Sequence, residues 1–238
     1  MNHYDNPEFF AAYAQMSRSQ QGLDGAGEWH QLQSLFPDLT GKDMLDLGCG
    51  YGWHCKYAAN HGARSVLGID QSEMMIAEAK KRNDTPGITY RVCSLQEYDY
   101  PKESFDLAVS NLVLHYVEDL DAVYRRIHET LRPGGVFLMN IEHPTFTAGV
   151  NQQFSADGTW PVDDYYYPGL RKTNFLGHTI TKYHHTLTQI LGGLLKAGFR
   201  IEAVEEAMPP EEWRAVMPDE MRRPMMLLVK AVKEDLYD

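Results

Sequence analysis

The sequence predicts an α/β fold in which a mostly parallel sheet of seven strands carries helices on both faces. Three observations point there. Short apolar runs alternate with amphipathic helical stretches, glycine and proline turns punctuate the alternation, and the first run enters the turn Asp46-Leu47-Gly48-Cys49-Gly50-Tyr51-Gly52 directly. The expected strands are Met44–Leu47, Val66–Ile69, Ile88–Val92, Phe105–Val109 and Val136–Ile141, short, mainly apolar runs bounded by turn residues, as strands buried on both faces should be. Helical patterns lie between them at His54–His61, Ser72–Arg82 and Leu120–Leu131. Ser72 is suited to cap its helix, and Pro133-Gly134-Gly135 is a stop signal. Such βαβ repetition, with right-handed crossovers, builds a parallel sheet. Two further strands, Arg200–Glu205 and Met225–Val232, are expected to close it.

The flanks differ from this repeat. Residues 6–36 read as a helical cap of two helices: Pro7 near a start, then Phe9, Phe10 and Tyr13, and after a glycine-rich break Trp29, Leu32 and Leu35. Residues 143–182 form an aromatic, turn-rich insertion after the fifth strand, including Phe146, Trp160 and Tyr165-Tyr166-Tyr167. A long irregular loop in a compact domain is usually functional, so a lid or substrate wall is expected there. A helix is expected at about Tyr183–Lys196.

Composition narrows the class. With 238 residues, 43% of them hydrophobic, the chain fits one domain with a true core. A net charge of −11 makes a nucleic-acid partner unfavourable, because such binding draws on a Lys/Arg surface. No stretch approaches the roughly 20 apolar residues needed to span a bilayer. The start, Met1-Asn2-His3-Tyr4-Asp5, lacks the basic and apolar regions of a secretion signal, so a cytoplasmic protein is expected. Three scattered cysteines, Cys49, Cys55 and Cys93, suggest neither a disulfide framework nor a metal site. Monomer and homodimer are both compatible with these features.

The glycine-rich turn points to a nucleotide cofactor. Glycines allow the backbone to turn sharply and approach a ligand closely. The next strand ends at Asp70, where an acid can accept hydrogen bonds from a ribose diol. A dinucleotide fingerprint would need its third glycine at position 53, which is Trp53. Asp46, just before the first glycine, suits a cation better than a pyrophosphate.

Four ordered motifs now carry a resemblance: Asp46–Gly52, Gly68-Ile69-Asp70-Gln71-Ser72, Phe105-Asp106-Leu107-Ala108 and Leu131-Arg132-Pro133-Gly134-Gly135. Over about residues 40–142 the chain resembles the class I S-adenosylmethionine-dependent methyltransferases. The flanks Glu142-His143-Pro144 and Lys182-Tyr183-His184-His185 resemble a bacterial branch that acts on small molecules. The resemblance implies a Rossmann-like fold, S-adenosyl-L-methionine as cofactor, and one domain made of a cap (1–40), a cofactor-binding half (41–142), the insertion (143–182) and a C-terminal part (183–238).

It also implies roles. The turn with Gly48, Cys49, Gly50 and Gly52 passes under the methionine moiety, and Asp46 lies near its ammonium. Asp70 binds the ribose and Gln71 flanks the adenine. Ser94 and Leu95 contact the adenine edge, although many members carry an acid near Ser94. Asn111 lines the methionine side, and Met75 either packs on the adenine or is plain core. Tyr13 and Arg18 belong to the cap over the cofactor. Arg18 holds the methionine carboxylate or an acidic substrate, or is simply solvated.

The sulfonium already makes the methyl electrophilic, so the protein has mainly to align the acceptor and exclude water. His115 after the fourth strand, His143 after the fifth and His184 are candidates for a base or for a hydrogen-bonded wall. Ser110-Asn111-Leu112-Val113 lacks the Pro-Pro-aromatic signature of amino-nitrogen nucleic-acid methylation, and no cysteine follows a proline as cytosine-carbon methylation would need. Methyl transfer to a small molecule is therefore expected. A tRNA or protein methyltransferase, or a non-catalytic S-adenosylmethionine-binding regulator, is the alternative.

Overall fold

The computed structural model describes residues 2–234. Five segments form parallel strands: β1 (Asp43–Leu47), β2 (Ser65–Asp70), β3 (Ile88–Val92), β4 (Phe105–Asn111) and β5 (Leu131–Glu142). β6 (Gly169–Phe175) and β7 (His178–His184) pair as a separate hairpin. β8 (Phe199–Ala207) and β9 (Met226–Lys233) complete the main sheet, whose order is β3-β2-β1-β4-β5-β9-β8. β9 runs antiparallel to both neighbours. Every residue of β1 is buried, as a strand covered on both faces requires.

The helices are α1 (Pro7–Tyr13), α2 (Ser17–Gln20), α3 (Trp29–Leu35), α4 (Trp53–Asn60), α5 (Glu73–Arg82), α6 (Leu120–Thr130), α7 (Pro144–Thr147) and α8 (Leu187–Lys196). Their starts follow side-chain chemistry. The Asn6 side chain accepts from the backbone N–H groups of Glu8 and Phe9, with Pro7 in the first helical position. Ser72 accepts from Met75 N–H, and Asp119 from Ala122 N–H. α6 buries Val123, Tyr124 and Ile127 on one sheet face, together with Ile190 and Leu194 of α8. Leu32 of α3, Ala58 of α4 and Ile76 and Ala79 of α5 cover the other face.

From β1 the chain winds outward through β2 to β3, then returns to place β4 on the other side of β1. That reversal opens a crevice beyond the carboxyl ends of β1 and β4, the place where such sheets bind ligands.

Three expectations change. The insertion is not structureless, because two-residue alternation with buried Thr173, Ile180, Lys182 and His184 builds the β6–β7 hairpin. Its turn uses Leu176 and Gly177, both at positive φ (53° and 81°), as a tight hairpin of right-handed twist demands. The helix expected from Tyr183 starts only at Leu187, where Thr186 and Gln189 form a reciprocal capping box. The cap is more fragmented than two helices, with a 3-10 turn at His3–Asp5 before α1 and another at Gly22–Gly25 between α2 and α3.

That cap is fastened to the body at several points. Phe9 is 1% exposed and lies 5.1 Å from the Tyr4 ring and 5.9 Å from that of Phe175 on the hairpin. Asp5 Oδ1 accepts from Ser72 Oγ (2.6 Å) and Met74 N (3.2 Å), and the Tyr4 and Tyr116 hydroxyls meet at 3.1 Å. Among the described residues no helix is long and apolar enough to cross a membrane.

Removing the Phe9 side chain empties a space shared by cap and hairpin. Phe9→Ala should lower the free energy of unfolding in urea by about 3–5 kcal/mol. A loss under about 1 kcal/mol, the size typical of a surface substitution, would mean that the cap does not pack as described.

Candidate active site

β1 delivers the backbone to the glycine turn, and Gly48 N–H (2.8 Å) and Cys49 N–H (2.9 Å) both donate to the Ile69 carbonyl on β2. Gly48, Gly50 and Gly52 all have positive φ (77°, 52° and 78°), so each is favoured over a side-chain residue. Their surroundings differ. A Cβ on Gly48 would lie 2.3 Å from Val113 Cγ2, and one on Gly52 2.3 Å from the Tyr90 hydroxyl. A Cβ on Gly50 would meet nothing within 4 Å. Packing therefore demands the outer two glycines, while the middle one leaves bare backbone against open space.

Asp70, at the end of β2, accepts from Gly50 N–H (3.0 Å) and Ser72 N–H (2.9 Å). Burial pushes its carboxyl up to about 6, against the pull of those two donors. Asp46 is 1% exposed, and Cys55 Sγ donates to it at 3.2 Å. Burial pushes Asp46 up to about 7, with the thiol opposing.

A cavity of about 280 Å³ opens beside this turn. Of the residues expected at a site, Tyr13, Arg18, Gly48, Gly50, Asp70 and Gln71 line it. Met75, Leu95, Asn111 and His115 line it as well. A smaller adjoining cavity of about 80 Å³ shares Tyr13, Arg18 and Asn111 with the first and adds Cys49 and Glu28.

Five expected residues do not line either cavity. Asp46 is held behind the turn by Cys55. Gly52 is sealed by Tyr90. The Ser94 hydroxyl turns away to Glu97 (2.8 Å), and Gln96 takes its place beside Leu95. His143 caps α7, its Nδ1 accepting from Thr145 N–H (3.0 Å) while Nε2 lies 3.0 Å from Glu206. His184 has both ring nitrogens engaged, Nδ1 with Thr147 Oγ1 (2.7 Å) and Nε2 with the Tyr165 carbonyl (2.9 Å). His143 and His184 thus have their ring nitrogens committed to the scaffold, away from both cavities. Arg18 is not solvated either, since its fork grips both Glu28 oxygens at 3.1 Å. Asn140 links this pair onward, donating to Glu28 Oε1 (3.3 Å) and to Asn111 Oδ1 (2.9 Å).

The far end of the cavity holds residues that the sequence reading passed over. Glu142, the last residue of β5, forms a buried ion pair with Lys182 of β7. His115 is 3% exposed, with Nε2 3.9 Å from Glu142 Oε1 and Nδ1 without a partner. Burial pushes its imidazole down to about 4, although Glu142 opposes the shift. The Lys182 ammonium stands 5.5 Å from the centroid of the Phe175 ring. A signal for Glu142 existed, a charge closing an apolar strand at its carboxyl edge. Lys182 was legible only once its segment is read as a strand, where it shares a face with Ile180 and His184. Among the described residues no cluster of three or more His, Cys, Asp or Glu side chains could hold a metal ion.

Comparisons with known proteins place the chain in a family. Residues 45–139 match the family model described as a methyltransferase domain. A crystal structure of an S-adenosylmethionine dependent methyltransferase from Mesorhizobium loti is 43% identical, with a TM-score of 0.83 over 89% of this chain and all of that one. An uncharacterized protein of Haemophilus influenzae is 30% identical over 97% of this chain and 96% of its own length. The N-demethylindolmycin N-methyltransferase of Streptomyces griseus is 29% identical over 79% of each chain. The chain belongs to the S-adenosylmethionine-dependent methyltransferases, and S-adenosyl-L-methionine is its cofactor.

Because burial dominates at His115, its ring should remain neutral on acidification until about pH 4, where an ordinary histidine charges near 6.5. The ring resonances in an NMR titration should report that midpoint. A midpoint at or above 6.5 would mean that water reaches the ring freely.

Proposed function

We propose that this methyltransferase acts on a small-molecule acceptor held between His115 and the Glu142–Lys182 wall. The observation that carries the reading is the continuity of one cavity from Gly50 and Asp70 to His115 and Lys182. Donor and acceptor can thus meet inside the protein, away from water.

The residues at the near end fit the cofactor. Bare backbone at Gly50 leaves room for close approach, and the Asp70 carboxylate has the chemistry to accept from a ribose diol. Gln71 and Leu95 would flank the adenine, with Met75 beneath. At the other side the Arg18–Glu28 ion pair lines the small cavity, beside which the amino-acid tail would lie. Bound there, the cofactor supplies an electrophilic methyl group.

The chain's own task is then to align the acceptor and to take up its proton. His115, at the acceptor end and neutral above about pH 4, is a weak base that can receive a proton from an acceptor made strongly acidic by methylation, such as a hydroxyl oxygen that has just gained the methyl group. Its Nε2 lies 3.9 Å from Glu142 Oε1, beyond hydrogen-bond distance. The 79% coverage of N-demethylindolmycin N-methyltransferase, a small-molecule enzyme by its name, supports the acceptor class. So does the net charge of −11, which disfavours nucleic acid.

Three outcomes are expected. Hydrogen bonds to a charged group contribute roughly 1.5–3 kcal/mol, so Asp70→Ala should weaken S-adenosylmethionine binding more than about tenfold by calorimetry. Wild-type affinity should also fall as pH drops through about 6, because a protonated Asp70 accepts fewer donors. Unchanged affinity in both experiments would sink the ribose assignment. With labelled methyl donor and a mixed cell extract, label should enter the low-mass pool, and label confined to RNA or protein would overturn the acceptor class.

A further inference from the structure

We infer that residues 2–20 form a strap that must lift from the body for the cofactor to enter or leave, and that the Asp5 carboxylate is its latch. This rests on the reading above that the cofactor lies beside Gly50 and Asp70.

The strap comprises the 3-10 turn at His3–Asp5 together with α1 and α2. Its residues Tyr4, Tyr13, Met16 and Arg18 line the main cavity along with Gly50 and Asp70 of the body. The smaller cavity, beside which the amino-acid tail would lie, is walled by Tyr13, Arg18 and Ser19 of the strap and by the turn from Gly48 to Tyr51. A cofactor seated there touches strap and body at once, so the two have to part to admit it.

Separate contacts, rather than the core, hold the strap down. Among the described residues, the two apolar clusters that pack the sheet include none before Leu23. Phe9 is buried, but its ring neighbours are His3 and Tyr4 of the strap itself and Phe175 and His178 of the hairpin. Phe10 and Tyr13 each meet the Tyr51 ring edge-on at 5.8 Å, and Arg82 Nη1 donates to the Ser19 carbonyl at 3.0 Å. The strap ends before Gly22, whose φ of 67° suits glycine, and α3 then joins the core through Trp29, Leu32 and Leu35. A segment with so few core contacts opens at lower cost than the sheet it covers.

Asp5 differs from the other fastenings in its charge and its position. Its Oδ1 accepts from Ser72 Oγ (2.6 Å) and Met74 N–H (3.2 Å), while Asp70 Oδ1 accepts from Ser72 N–H (2.9 Å). The two carboxylates therefore share the first turn of α5, one coming from the strap and one from the floor of the cavity. The Ser72 hydroxyl accepts from Met75 N–H (3.1 Å) as it donates to Asp5, so the latch closes on the cap of the same helix. Hydrogen bonds to a carboxylate are stronger than neutral ones, and losing one shifts an opening equilibrium by roughly tenfold. The Tyr4 hydroxyl, 3.1 Å from that of Tyr116, is a second polar fastening next to the latch.

The test is the rapid-mixing kinetics of S-adenosylhomocysteine binding to the full chain, followed by tryptophan fluorescence or by rapid filtration of the radiolabelled compound. Loosening a gate speeds entry and exit together, whereas removing a contact to the bound cofactor speeds exit alone. Asp5→Ala should raise the association rate constant at least about threefold, and the dissociation rate constant with it. Asp5→Asn, which keeps an acceptor and loses the charge, should fall between Asp5→Ala and the wild-type chain. Should Asp5→Ala not fold, Tyr4→Phe, which loses only the hydroxyl, decides by the same criterion. An association rate constant that rises less than this would overturn the inference, whatever happens to dissociation. Asp70→Ala, measured alongside, keeps the two failures apart. Unchanged affinity in that variant strikes the cofactor site itself; weakened affinity there, with wild-type association in Asp5→Ala, strikes the strap alone.

Discussion

The Asp70 carboxylate ties three elements together, and the floor of the cavity depends on it. One oxygen holds Gly50 of the turn and the other holds Ser72 at the start of α5, while the residue itself ends β2. Charge-assisted bonds of this kind contribute more than neutral ones, which offsets part of the penalty of placing the carboxylate deep in the wall. The two N–H donations to the Ile69 carbonyl fix the same turn from the neighbouring residue. The turn is therefore shaped before any ligand arrives, and the bare backbone of Gly50 is presented rather than formed on binding.

Charges follow a pattern along the cavity. Each end carries a compensated pair, Arg18 with Glu28 and Lys182 with Glu142. Between them stands Asp70, and behind the turn Asp46, both held above the usual carboxylate range by burial. Removing one member of a buried pair leaves an uncompensated charge, so the pairs restrict what substitutions the walls tolerate. The excess of negative charge suits a donor that carries a positive sulfonium. The cap closes the cavity through the Tyr4–Tyr116 contact and the packing of Phe9 on the hairpin.

Much of the scaffold was legible because its signals are local. The runs Met44–Leu47 and Ile88–Val92 differ from the observed strands by at most a residue or so; burial on both faces leaves the first little choice of side chain, whereas β3, expected to be covered on both faces, lies at the sheet edge and buries only Tyr90. The glycine turn and Asp70 were legible for the same reason. What failed depended on long-range pairing. The β6–β7 hairpin has no unbroken apolar face, and its buried Lys182 makes sense only opposite Glu142, forty residues earlier. Sequence position placed His143 and His184 after strands or near the insertion, but the partners that occupy their nitrogens come from Glu206, Thr147 and Tyr165. Likewise Gly52 looks like a ligand-facing residue in one dimension, and only Tyr90 reveals that packing requires it.

The most direct test of the central claim is a crystal structure of the chain with S-adenosylhomocysteine. The claim predicts density across Gly50 with the ribose hydroxyls on Asp70, the amino-acid tail beside the Arg18–Glu28 pair, and free space continuing past the sulfur toward His115 and Lys182. Density on another face of the sheet, or a cofactor whose sulfur points away from His115, would contradict it.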